Sequence, residues 1–209
     1  STQFLDAAQG NDNAVYTGNL TLDATDVMFG LRDDGSYTFK YEANANNEAA
    51  TLTTEGVVYF DGNLTTNKEI NYQHGSYGDP VTNYTKSTIF VSGKITIKDE
   101  ILAIGTYPSE SVMAFVNEDT GTSTDDDIHI DVTSQNSVIQ SFIYTSGWVT
   151  IDKQVKIHGS VMTKMLNLNE VPDLEAPDDS VKDNYPYLFP GKDLAFITTS
   201  NWREVPVTP

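Results

Sequence analysis

The sequence predicts an all-β chain, organised as an irregular right-handed parallel β-helix (β-solenoid) with long loop insertions and an irregular Pro-rich C-terminal segment. Three observations carry this reading. Helical periodicity is almost absent. Tyr and Phe, which favour strands, number 11 and 9. A glycine-bent unit of the form apolar–Gly–x–apolar–Thr recurs along the chain. The alternative architecture is an antiparallel β-sandwich whose hairpins carry glycine at their turns.

The best helical candidate is the short stretch Ser1–Gln9, with Phe4, Leu5, Ala7 and Ala8. The bent unit then appears at Val15–Leu22 (VYTGNLTL), Val58–Thr65 (VYFDGNLT), Ile89–Ile97 (IFVSGKITI), Phe142–Ile151 (FIYTSGWVTI) and Val155–Met162 (VKIHGSVM). Glycine at the bend permits positive φ or a close backbone approach. Alternation after it places Leu20 and Leu22, or Ile95 and Ile97, on one face and the intervening Thr on the other. Such bent strands stack on their neighbours in a solenoid. The glycines lie 44, 31, 54 and 12 residues apart. That spacing predicts loop insertions, placed at Asn67–Tyr84 and Asn117–Asp127.

Two parts are expected. Residues 1–171 form the β-solenoid body. Residues 172–209 form a segment holding six of the eight prolines, in which a packed strand is not expected over the acidic stretch Asp173–Ser180. This segment runs back over the body, anchored by Tyr185, Tyr187, Leu188 and Phe189. A last strand covers Leu194–Thr198, and Trp202 caps one end of the core.

Charge restricts the partners. Thirty acidic residues against 12 basic ones give a net charge of −18. Such a surface repels phosphate backbones and anionic membranes, so neither nucleic acid nor direct membrane contact is expected. Cysteine is absent, which excludes disulfides and thiolate metal sites. No apolar run is long enough to span a bilayer. The chain opens at Ser1 without a signal-like segment, which fits either a processed chain or one whose anchor lies upstream.

Signatures of chemistry are thin. There is no Gly-x-Ser-x-Gly elbow, no phosphate-cradling glycine loop and no dinucleotide fingerprint. His74 and His158 read as turn or surface residues. The densest polar cluster runs from Asp125 to Asp131, where an acidic loop enters a strand and His129 and Asp131 share a face. Asp125, Asp126 and Asp127 are the candidate Ca²⁺ ligands, although EF-hand spacing is missing. No other cofactor is expected. Three Asn-x-Thr sequons occur, at Asn19, Asn63 and Asn83; two lie inside the bent unit, where Asn suits the bend. Paired carboxylates for glycoside hydrolysis carry no information among so many acidic residues. Scarce arginine argues against a cleft for polyanionic sugars, while exposed tyrosines suit neutral ones.

Val57–Thr65, Ile89–Ile97 and the closing Asn201–Pro206 (NWREVP) resemble the ectodomains of bacterial PilX-type pilus-assembly proteins, type IV pilus-associated and pilin-like. The resemblance spans roughly residues 15–206. It departs from the family in lacking the N-terminal hydrophobic helix, of which Ser1–Gln9 would be the remaining stub. It implies a non-enzymatic, extracytoplasmic protein, at the cell surface or secreted, whose partners are other pilus or surface proteins and whose role is structural or adhesive. The competing expectations are a carbohydrate-active or carbohydrate-binding β-helix and a calcium-stabilised adhesin domain.

Overall fold

A computed structural model describes residues 2–44, 48–74, 86–108, 110–117 and 127–176. One helix, α1 (Thr2–Gly10), precedes a chain of short strands. The strands come in triplets that follow one another around three sides. The first triplet is β1 (Val15–Thr17), β2 (Leu20–Leu22) and, after the hairpin β3 (Val27–Leu31) and β4 (Tyr37–Glu42), β5 (Ala50–Thr54). The second is β6 (Gly56–Asp61), β7 (Leu64–Thr66) and β8 (Ile70–Gln73). The third is β9 (Lys86–Val91), β10 (Ile95–Ile97) and β11 (Ile101–Ala103). There follow β12 (Val112–Asn117), β13 (Ile128–Ile130), β14 (Ser137–Thr145), β15 (Trp148–Ile151), β16 (Val155–Met162), β17 (Met165–Leu168) and β18 (Asp173–Glu175).

Each strand pairs in parallel with its counterpart one triplet later. The second side is a 6-stranded sheet in the order β17-β15-β13-β10-β7-β2. The first and third sides join into one 12-stranded sheet, because β14 and β16 turn the corner without a break. The N-terminal part of β14 pairs with β11 at Ile139↔Ile101, and its C-terminal part pairs with β12 at Phe142↔Ala114. Among the described residues, antiparallel pairing is confined to β3–β4 and β4–β5. The chain is therefore all-β, built on large and mainly parallel sheets.

Parallel strands buried on one face need in-register apolar residues. Leu20, Leu64, Ile95, Ile128 and Val149 occupy one such column, and all are buried. Each buried side chain of this size contributes roughly 1.5–3 kcal/mol. A second apolar cluster lies on the outer surface of the first side. There Val57, Tyr59, Phe90, Ala114 and Phe142 meet Phe4 and Ala8 of α1, and the Phe4 and Phe90 rings stack at 4.5 Å.

Three sequence expectations meet a different arrangement. Ile70–Gln73, inside the expected loop Asn67–Tyr84, is strand β8, held because Ile70 and Tyr72 are fully buried. The unit at Val155–Met162 is out of phase with the other four. Its Gly159 lies within β16, opposite Ser141 of β14, at the corner between the third and first sides. A Cβ there would meet Ser141 O at 2.0 Å, so the residue marks close approach at a different corner. Asp173–Glu175 form β18 and pair with β16; all three side chains are exposed, so among the described residues this is an edge strand. The remaining elements expected beyond residue 176, including Leu194–Thr198 and Trp202, lie outside the described residues.

Candidate functional site

The corner between the first and second sides is a ladder. Gly62 takes φ 147°, and a Cβ on it would lie 2.5 Å from Gly18 O. Glycine is therefore required where one corner stacks on the next. Beside this stack the Asn63 amide donates to Asn19 Oδ1 at 2.9 Å, and the Lys94 amide donates to Asn63 Oδ1 at 2.8 Å. In the fourth triplet (β12, β13 and the start of β14) Asn117 stands opposite Val91 and Thr145, and its Nδ2 donates to Val91 O at 3.1 Å and also to Gly93 O. Thr145 Oγ1 then donates to Asn117 Oδ1 at 3.3 Å. Two of the sequon asparagines thus hold backbone at the bend; Asn83 lies outside the described residues.

From this ladder a row of polar side chains runs along the outer face of the second side, exposed or half-buried except for the buried Thr150. Thr21, Thr65, Thr96, His129, Thr150 and Asn167 stand in one register, about 4.8 Å apart along the stack. His129 Nε2 lies 2.8 Å from Asp152 Oδ2, and Asn169 Nδ2 donates to Asp152 Oδ1 at 2.7 Å. The His129 contact lowers the Asp152 carboxyl below its ordinary range. A flat row of hydroxyl, imidazole and amide groups suits contact with another surface.

Asp127 opens β13, and its Oδ2 accepts the Trp148 amide at 2.6 Å. Asp125 and Asp126, the other candidate Ca²⁺ ligands, lie outside the described residues. Among the described residues no group of three or more His, Asp or Glu side chains converges on one point. His129 and Asp131 flank the buried Ile130 on the exposed side of the second sheet.

Two polar constellations were not apparent from sequence. Arg32 is buried, with its Nη1 2.7 Å from Glu55 Oε2 and its Nε 3.1 Å from Asp12 Oδ2. His74 is half-buried and ties distant strands together: its Nδ1 lies 3.1 Å from Thr54 O, and its Nε2 accepts the Val112 amide at 3.0 Å. Nδ1 therefore donates and the ring is neutral. Burial lowers its pKa. Both depend on residues far apart in the chain, so local sequence carried no signal for them.

A shallow groove of about 620 Å³ lies on the outer face of β3, β4, β5 and β8, lined by Met28, Tyr37, Lys40, Glu42, Thr53 and Gln73 among others. Its charges are engaged. Lys40 Nζ pairs with Glu42 Oε1 at 2.7 Å. Asp34 accepts both the amide and the hydroxyl of Ser36, which lowers its pKa. A glycosidase acid needs the opposite shift.

No protein-family model matches the sequence, and no curated protein matches it. Among solved structures the chain is similar to the competence-associated pilin ComZ from Thermus thermophilus, with a TM-score of 0.61 and 20% identity. The match covers 91% of this chain and 37% of that pilin, so the chain spans well under half the pilin's length. At this identity the likeness is one of fold. Among the described residues no helix is long and apolar enough to cross a membrane.

Proposed function

We propose that this chain is an extracytoplasmic ectodomain of a type IV pilus-associated, minor-pilin-like protein of the PilX type, structural or adhesive and not enzymatic. The observation that supports it is the shared fold with a competence-associated pilin over 91% of the chain. The stacked triplets read as a right-handed parallel β-solenoid, since connections between parallel strands of one sheet are right-handed in about 98% of cases. In this reading the body spans residues 1–171, and residues 172–209 pack back on it. The row from Thr21 to Asn167 is its contact face for other pilus or surface proteins. The α1 helix, seated by Phe4 and Ala8 on the first side, is where an upstream anchoring helix would join.

The test is location. Antibodies raised to this chain should label sheared filaments in immunogold micrographs, and deletion of the gene should reduce filament number. Signal confined to the cytoplasm, with filaments unchanged on deletion, would overturn the reading.

A further inference from the structure

The outer face of the second side carries its charge in stripes. Beside the central row from Thr21 to Asn167 runs a column of Asp23, Asn67, Lys98, Asp131, Asp152 and Asn169. The backbone ladder keeps it in register: each amide from Asn67 onward donates to a carbonyl of the strand before it. Side chains add to it, with Asn67 Nδ2 donating to Asp23 Oδ2 at 3.5 Å. On the opposite margin Lys94, Asp127 and Trp148 follow one another, the Ile95 amide donating to Asp127 O and the Asp127 amide to Trp148 O. β10 is therefore framed by two lysines and its neighbour β13 by two aspartates, all four half-buried. A positive stripe lies about 4.8 Å from a negative one. Among the described residues Lys98 and Asp131 carry no ion pair.

We infer that this face docks on the same face of a second copy of the chain, about a two-fold axis that runs along the strands between β10 and β13. Two like faces meet only about an axis lying in their plane. With strands aligned, that axis follows either the stack or the strands. An axis along the stack would set Lys94 against Lys98 of the second copy, and Asp127 against its Asp131. An axis along the strands reverses the stack and sets β10 on β13. Lys94 then meets Asp127 and Lys98 meets Asp131, each contact twice by symmetry. Thr96 meets His129, Asp152 meets Asn67 and Asp23 meets Asn169, so no two like charges face each other. Like-charge contact costs several kcal/mol, so the second axis is selected. A second copy is the occupant because the chain already carries the complement of each stripe. Six strands span about 24 Å across the stack, and five residues about 13 Å along it. With side chains this buries roughly 900 Å² over both copies, the size of a weak, transient contact. The inference rests on the contact face proposed above and names its partner.

The test uses the full 209-residue chain in solution. Sedimentation equilibrium over a concentration series should show monomer and dimer, with the dimer weakening as salt rises. K98D and D131K each set like charges together at both symmetric contacts, and each should raise the dimer Kd by about tenfold or more. Mixing the two variants in equal amounts restores opposite charges at both contacts, so a heterodimer of near-native Kd should form. K98D/D131K should self-associate equally well. Recovery in either sample also shows that the single variants fold. A chain that stays monomeric throughout would overturn the inference. So would a dimer that K98D and D131K leave unchanged, or losses that neither the mixture nor the double variant recovers. None of these results depends on filaments: a monomeric chain whose antibodies still label filaments sinks this inference and leaves the pilus reading standing.

Discussion

The two ends of the stack are finished in different ways. At the first end the parallel pattern stops: β3 and β4 fold back as an antiparallel hairpin against β5. Phe29 and Phe39 stack at 4.7 Å, and Phe60 meets both edge-on at 5.5 and 5.4 Å. Asn11 Nδ2 donates to Glu55 O and Val57 O at 2.8 and 2.9 Å, and Arg32 bridges Asp12 to Glu55. At the last end β18 is exposed throughout and β17 nearly so. A stack of identical-looking turns has no intrinsic stop, so each end needs an element foreign to the repeat. The first end carries aromatic rings, buried charge and a reversed strand direction. Among the described residues the last end carries a parallel edge.

The comparison is broken most severely at the closed end. Phe39 is fully buried on the inner face of the hairpin, and F39A should cost about 3–5 kcal/mol in denaturant unfolding. A loss under about 1 kcal/mol would mean the hairpin does not seal the core. Arg32 is the electrostatic counterpart. R32M leaves Glu55 buried without its nearest cation, and removing one partner of such a pair costs about 3–5 kcal/mol. R32M/E55L should regain much of that loss. If the double variant is no more stable than R32M, the ion pair is not what closes this end.

The closed end was also the less legible one. Corner glycines are visible in sequence because only glycine fits where Gly62 approaches Gly18. That gave the bent units at Gly18, Gly62, Gly93 and Gly147 their correct phase. A glycine records close approach but not which corner it serves, hence the displaced unit at Gly159. The fourth triplet was legible only at β13, where Ile128 and Ile130 alternate with His129; Asn117, bonded to Val91 O through its side chain, carries no such mark. β8 and β11 have no glycine mark, only buried Ile70 and Ile101. Arg32 and Glu55 are 23 residues apart, and no local pattern announces their meeting. The polar row was half legible: Thr21, Thr65, Thr96 and Thr150 follow from alternation, whereas the His129–Asp152 contact needs the stacking register.

Acid should separate the two ends further. His74 braces β5 against β12, and burial holds its pKa below the ordinary 6.5. The unfolded chain therefore takes up the proton first as pH falls. The stability this group supplies is full above about 6.5 and declines below it, toward the folded value. Asp152, on the side of the stack nearer the open end, is lowered from 3.8 by His129. Its contribution is full above about 4 and declines only in stronger acid. Denaturant unfolding at about pH 7.5 and about pH 5.5 should show a loss in the native protein that H74Q removes and D152N leaves in place. An unchanged slope in H74Q would reject His74 as the acid-sensitive brace.

Asp127 gives the smallest expected effect and lies between the two ends. Its carboxylate accepts the Trp148 amide at 2.6 Å, joining the fourth triplet to the fifth. D127N keeps the shape and one acceptor oxygen but removes the charge, so a loss of about 1 kcal/mol is expected. The same variant tests the proposed calcium role of Asp125, Asp126 and Asp127. An ion bound only by the folded chain adds about 2.7 kcal/mol at a hundredfold excess over its Kd. Melting of the native protein in calcium and in chelator therefore separates two roles for one residue. A calcium-dependent rise that D127N abolishes assigns the carboxylate to the ion as well as to the Trp148 amide. Identical melting in both buffers, with the loss of about 1 kcal/mol in D127N still present, leaves Asp127 as a backbone brace and removes calcium.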